Sequence, residues 1–586
     1  MAQLLRREEN DAENRICSTL DDLQRIAEGG RAAVLGQGFF DKARKWYSFD
    51  PPAMNRVIYH PLVRVADLQM LNLREANELT TPVPKFFIQR LFGQPIGARD
   101  RDREACFRAN WDLAEFQMEL LYAETYAGIV GSTPLQVFFD PDFQRGLGAV
   151  RLRARDPESY YPDPSAYDDE ERSYIILEDN LSIEEIARLY GRESADLIQK
   201  EFRVGSRVRI PRTQSDYPAT GLALPPGPLQ SMGPLGHGAF STPSNREGRL
   251  RVRTLFIKDS TRMPFTDQLR LTLLRNEDLI LPEPADVPMF PNGRVIVECQ
   301  RRILHDGPNP YRGFPVFRLC ALPPLYGYWA PPLIRYTQDL QSLAEEMFSQ
   351  TFENAYRMNN AMMFIKQQSG LTSNDVDGLP GRLYFVDPQA GENAAQIVVT
   401  PPFPQHFLDY PKYLLEMQRE QLGMTAARSG NAGAGNVGMG LFDSEVFQAQ
   451  AITRLRSRLL ASTMKKIAAF VFETMTDTIG SRIYPMMEGT GADPEAVLWE
   501  GGPQLAQMEW NVLLDGNSLR LDSAASLRQL ALTLARFGKI DDETLYEWLE
   551  APDQQGIMER RRTQALWTAI QAVGQLQPAR GGHKAG

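Results

Sequence analysis

Cysteine and histidine are scarce in this chain, four of the first and five of the second among 586 residues. Cys17, Cys106, Cys299 and Cys320 lie far apart with no C-x-x-C pair, which argues against a disulfide framework or a zinc site and makes buried free thiols the expectation. The histidines are equally dispersed, so no metal ligand set is assigned. Long apolar runs are missing as well; Ile467–Phe472 stops far short of a membrane span. The opening Met1–Asn10 lacks the apolar stretch of a signal peptide, and a cytoplasm is the expected place of synthesis and folding. There is no basic excess either. A net charge of −10 argues against a conventional duplex-binding domain, though not against a surface that DNA passes without sticking.

What is present is the composition of an ordinary folded protein, 43% hydrophobic and 24% charged. The length allows about three or four domains, fewer if they are interwoven. Residues 1–45 read as helical, with Leu20, Leu23 and Ile26 on one apolar stripe. From Trp46 to Arg155 helix and strand mix. The segment 109–130 is the clearest amphipathic helix there, and Leu135–Phe139 and Val150–Ala154 read as strands. Asp156, Glu158 and Asp163 stand in a Pro/Asp-rich turn whose spacing fits no EF-hand, so the turn reading is preferred to a calcium site. Ser182 and Glu185 form a capping box. The helix it opens, through Tyr190-Gly191, is read as a surface helix, because no convincing basic recognition helix follows it.

Residues 211–248 carry seven prolines among many Gly and Ser and read as a long exposed loop. Strands resume at Leu250–Ile257 and Gly293–Gln300, followed by a turn-dense stretch, His305–Tyr311. Then the character changes. Leu333–Asn359 is an uninterrupted helical pattern with Tyr336, Leu340, Leu343, Met347 and Phe348 on one side, about 40 Å long at 1.5 Å per residue. A small β-like module spans Ala361–Pro404, with strands at Arg382–Val386 and Gln396–Val399. A second helix is expected at Pro411–Leu422, a third at Ser444–Ile479, a strand pair around Trp510–Asp515, and helices at Ser523–Phe537 and Asp541–Leu549.

Chemistry is harder to find. Between the second and third helices, Gly433, Gly435 and Gly438 spell G-x-G-x-x-G. A dinucleotide fingerprint must follow a strand and open a helix, and a P-loop needs a Lys-Ser/Thr pair. Here a helix precedes the glycines and no such lysine follows. No G-x-S-x-G or H-E-x-x-H motif occurs, and Glu345-Glu346 and Asp541-Asp542 read as solvated helix faces. No catalytic residue, metal site or cofactor is therefore assigned. One charge pattern stands out: between Val446 and Phe472 the ionisable residues are Arg454, Arg456, Arg458, Lys465 and Lys466, without an acid. The plain reading is a solvated face or salt bridges between subunits. The sharper one is contact with a polyanion, helped by Arg428 in the glycine loop.

The order of parts from His305 onward resembles the portal proteins of tailed bacteriophages. The similarity lies in His305–Tyr311, Phe314-Pro315, and Tyr326-Gly327 leading into the helix of Gln338, Gln341 and Asn354. Asp156–Gly191, with its Asp-Pro turn, Arg172-Ser-Tyr-Ile-Ile strand and capped helix, resembles a stretch of that family's wing. The resemblance implies an α+β, mainly helical portal-type subunit. Its parts would be an N-terminal helical segment (1–45), a wing (46–332, with the loop 211–248), a first stem helix (333–360), a small α/β clip (361–404), a second stem helix (405–423), a tunnel loop (424–444), a long helix with the return of the wing (445–522), and a helical crown with C-terminal tail (523–586).

Such subunits form a homo-oligomeric ring, a dodecamer, at one capsid vertex of the virion. It assembles in the host cytoplasm and passes double-stranded DNA during packaging and ejection, with no membrane involved. The further partners implied are the large terminase subunit, head-tail adaptor proteins and the major capsid or scaffolding protein. On this resemblance Arg428, Gly433, Gly435, Gly438, Arg454, Arg456, Arg458, Lys465 and Lys466 are assigned to the DNA channel, and Lys366, Arg382, Tyr384 and Phe385 to partner binding by the clip. The alternatives are another head-tail adaptor or phage structural protein and, further off, a nucleotide-dependent packaging enzyme.

Overall fold

In the computed structural model the described residues are 2–47, 63, 65–82, 84–90, 98–146, 148–205, 249–260, 262–263, 287–359, 363–367, 387, 389, 395–397, 404, 406–424, 451–486, 495–501, 510–514, 532, 534–535 and 545. The chain is α+β. Its centre is an antiparallel sheet of five strands in the spatial order Arg302–Pro308, Arg294–Cys299, Arg249–Ile257, Tyr174–Ser182 and Tyr160–Pro162. Period-two alternation sends Ile175, Leu177, Val252, Phe256 and Val297 to one face and Tyr174, Ile176, Leu255 and Ile296 to the other. Both faces are covered. Ile186, Ala195 and Ile198 of two consecutive helices, Ile183–Tyr190 and Arg192–Gly205, close the first. Leu20 and Ala27 of the helix Ala2–Leu35 close the second. Each fully buried Leu, Ile or Val among them contributes about 1.5–3 kcal/mol, and each alanine less.

A second sheet pairs Val316–Cys320, Ser132–Asp140 and Ala149–Ala154. Against it lie the apolar helix Phe116–Val130 and the long helix Ala451–Thr478, which buries Leu460, Met464, Ile467, Val471 and Met475 along one stripe. The two sheets meet at a buried polar chain. Arg172 donates to the Tyr160 oxygen (2.6 Å), the Tyr160 and Tyr328 hydroxyls are 2.9 Å apart, and Tyr328 donates to Asp169 (2.9 Å). Arg172 also donates to the carbonyl of Val316, a strand of the second sheet. Thus parts of the 156–191 and 314–328 motifs converge on one network.

The remaining architecture is a pair of helices, Gln338–Asn359 and His406–Gln421, packed against each other and joined through the short antiparallel strands Met363–Ile365 and Ala395–Ile397. They run antiparallel, since Asp67-Leu68 bonds to Gln341 near the start of the first and to Arg419 near the end of the second.

Several sequence expectations need correction. Ile26 is 55% exposed, because the buried stripe runs Cys17, Leu20, Gln24, Ala27. The helix expected over 109–130 is two helices, Ala98–Leu113 and Phe116–Val130, separated where Glu115 takes a left-handed conformation (φ 53). The second of these is not amphipathic, because its apolar residues lie all round. A further helix, Arg192–Gly205, which was not foreseen, follows Gly191, whose φ of +94 suits glycine. His305–Pro308 belongs to a strand. The pattern from Leu333 is interrupted at Thr337, between a 3-10 turn and the α-helix. The second helix starts five residues earlier than Pro411, which lies inside it. Trp510–Leu514 pairs with the distant Phe86–Arg90 rather than with a local partner, and the hairpin of Ser481–Met486 with Glu495–Glu500 was not foreseen. All four cysteines are buried free thiols, as expected. The 211–248 loop, the Arg382–Val386 strand and the helices expected beyond Ser523, apart from isolated positions, lie outside the described residues.

Candidate functional site

The basic helix Ala451–Thr478 does not present its five cations alike. Arg456 is fully buried, and it corrects the assignment of this residue to a channel surface. Its guanidinium reaches Glu75 at 2.6 Å and Glu124 at 2.8 Å, with Thr453 Oγ1 donating to the other Glu75 oxygen at 3.0 Å. Burial raises the Glu124 pKa while Arg456 opposes that shift. The same burial works against the Arg456 charge, but Glu75 and Glu124 more than offset it and raise its pKa. An unpaired carboxylate there would be costly, so the three helices carrying these residues are locked in one register. Gly128 permits the approach of two of them: a Cβ at that position would overlap the Asn72 amide.

Lys466 is half-buried and bound to both Asp168 oxygens, at 2.7 and 2.8 Å. That pair ties the helix to the turn beneath the Arg172 network. Arg454 is half-buried, and Arg458 and Lys465 are exposed. Of the five, then, these last two face solvent most openly. Arg428, Gly433, Gly435 and Gly438 lie outside the described residues, as do Arg382, Tyr384 and Phe385. Lys366 is exposed just after the strand Met363–Ile365.

The helix pair differs from the rest. Along Gln338–Asn359 the buried residues are Gln341, Ala344 and Ser349, while Leu343, Phe352 and Tyr356, with Tyr336 of the preceding turn, are exposed by 48–65%. The apolar side of the pattern, Tyr336, Leu340, Leu343, Met347 and Phe348, is therefore turned outward in part. The reason is polar: Gln341, Glu345 and Ser349 bond the backbone of Val63, Val65 and Leu68, and that contact sets the helix's rotation. Tyr410, Tyr413 and Phe364 of the second helix and the short strand are exposed as well.

The acidic turn is fully engaged with protein donors. Asp163 accepts from Ser165 and Ser173, Asp156 from the Glu158 amide, and Glu158 from Arg44. Among the described residues no group of three His, Cys, Asp or Glu side chains is placed to hold a metal ion. Among them, too, no helix is long and apolar enough to cross a membrane.

Glu75 and Glu124 were missed from sequence. The usable signal was an acid within an otherwise apolar helix, as Glu124 is between Ala123 and Ala127. No protein-family model matches the chain, and no curated protein matches it in sequence.

Proposed function

We propose, first, that the chain is a structural subunit that works as an assembly and has no catalytic activity, and second, that the assembly is a portal: a ring passing double-stranded DNA at one vertex of a phage capsid. The observation that carries this reading is the order from Gln338 to Thr478: helix, short strand pair, antiparallel helix, glycine-rich segment, long basic helix. Under it, the helix pair is the stem, the strand pair belongs to the clip that meets the terminase and later the adaptors, and the sheet-rich body is the wing. The glycines between Met424 and Ser444 accept φ > 0 without penalty, which suits a loop that changes shape as DNA moves past it.

Few cations remain open on the basic helix, consistent with a conduit. Each phosphate neutralised adds affinity, and a channel that gripped DNA would stall it. A head-to-tail interface closes into a ring when its rotation closes. Electron microscopy of the purified full-length chain tests the proposal. A ring of about twelve copies with a central hole is expected; a monodisperse monomer at micromolar concentration would sink it, and ATP hydrolysis by the purified protein alone would favour a packaging enzyme.

A further inference from the structure

The exposed residues of two helices match each other in spacing and oppose each other in charge. On the helix Gln338–Asn359, Asp339, Leu343 and Glu346 stand at i, i+4 and i+7 and are exposed. On the helix Ala451–Thr478, Arg458, Ser462 and Lys465 stand at the same offsets and are also exposed. Residues so spaced share one helix face. The end charges of each set are about 10.5 Å apart along the axis. None of the four charged side chains has an ion pair or hydrogen bond with any described residue, although most acids and bases nearby do.

We infer that these two faces meet between neighbouring copies of this chain, acid face of one on basic face of the next. The inference rests on the ring reading above and assigns part of its interface. Parallel or antiparallel, the pairing brings both acids to both bases and sets Leu343, 48% exposed in the single chain, over the small side chain of Ser462. Small residues let helices approach to about 8–10 Å, which is what a protruding leucine needs to be covered. Because the two faces are different surfaces of one subunit, the contact is heterologous and propagates head to tail. It also gives Arg458 and Lys465 a partner other than DNA.

Charge reversal tests this with the full-length chain. Arg458→Glu/Lys465→Glu makes both faces acidic, and Asp339→Lys/Glu346→Lys makes both basic. Each variant alone is expected to stay monomeric, or to need roughly ten-fold more protein to form rings. An equimolar mixture of the two restores opposite charges at every contact, and rings of alternating subunits should return in electron micrographs. Circular dichroism melts matching the parent show that the subunits fold. The neutral variant Arg458→Ala/Lys465→Ala serves if a reversal does not fold, and its ring assembly should lose most of its sensitivity to salt. If both reversed variants form rings as readily as the parent, the interface assignment is wrong while the portal reading stands. Normal rings that no longer package DNA would return Arg458 and Lys465 to the channel. A parent chain that forms no ring overturns the portal reading itself.

Discussion

The sheet-rich body and the helix pair solve burial in opposite ways. In the body both faces of the five-stranded sheet are covered, and the fully buried arginines Arg172 and Arg456 are each paired. In the helix pair the first helix buries Gln341, Ala344 and Ser349 and leaves Leu343, Phe352 and Tyr356 to solvent. A soluble chain tolerates scattered exposed apolar residues, but a concentration on one module marks a contact surface. The body covers its apolar faces within one copy. On the proposed ring reading, a neighbouring copy completes the helix pair.

The largest effect expected from breaking that contrast is at the Arg456 anchor. Arg456→Met leaves Glu75 and Glu124 buried without their counter-charge and should destabilise the body by about 3–5 kcal/mol, seen as a lower thermal midpoint. Replacing all three by apolar residues should recover much of the loss. A single-substitution cost under about 1 kcal/mol would mean that water reaches the site and that the triad does not fix the helix register.

Next comes a paired truncation. Ile176→Ala removes a buried side chain between the sheet and the N-terminal helix and should cost about 2–5 kcal/mol in the subunit itself. Tyr356→Ala should change subunit stability by no more than about 0.5 kcal/mol, because the side chain is 65% exposed, while weakening assembly. Equal losses in the isolated subunit would erase the contrast between the two regions.

These outcomes depend on features that the sequence discloses unevenly. The strands were legible where alternation or a β-branched run met a clear turn, as at Leu250–Ile257 and Leu135–Phe139. The capping box at Ser182 was legible because all its chemistry lies within four residues. Boundaries failed where a local rule was overruled. Pro411 reads as a helix start, since proline has no N–H to donate, yet packing against the first helix carries the element on both sides of it. Glu115 offers no sign of its left-handed turn. Above all, the fate of Arg456 could not be read locally, because its partners are more than three hundred positions away in the chain and only the fold brings them close.

A smaller effect is expected at Asp156, which lines a cavity of about 90 Å³ with Tyr47, Tyr122 and Tyr126. Burial pushes its pKa up to about 6, against the pull of the Glu158 amide and Arg44. A carboxylate raised in the folded state binds its proton more tightly there than in the unfolded chain. Its ionisation therefore subtracts stability above pH 6, and that loss is recovered as the pH falls toward 4. Asp156→Asn should be more stable than the parent at pH 7.5, by about 1–2 kcal/mol, and the two melting curves should converge near pH 4. A parent that is equally stable across that range relative to the variant would show that Arg44 compensates the charge in full.

The smallest effect separates structure from DNA contact at one residue of the basic helix. Lys466 and Asp168 form a partly exposed pair, and such pairs are worth about 0.2–1 kcal/mol. Partial burial raises the Asp168 pKa, but the Lys466 ammonium and the Asp169 amide outweigh it and hold the carboxyl below its usual range. The contribution is therefore present at neutral pH and disappears as acid protonates Asp168, below the ordinary aspartate pKa. If the pair is only a strut, Lys466→Ala and Asp168→Asn should cost the same small amount, and the double variant no more than either. DNA packaging should be untouched by all three. A packaging defect in Lys466→Ala that Asp168→Asn does not share would mean that the ammonium also serves the channel, and the division of Arg456, Lys466, and Arg458 with Lys465 into anchor, strut and exposed face would have to be redrawn.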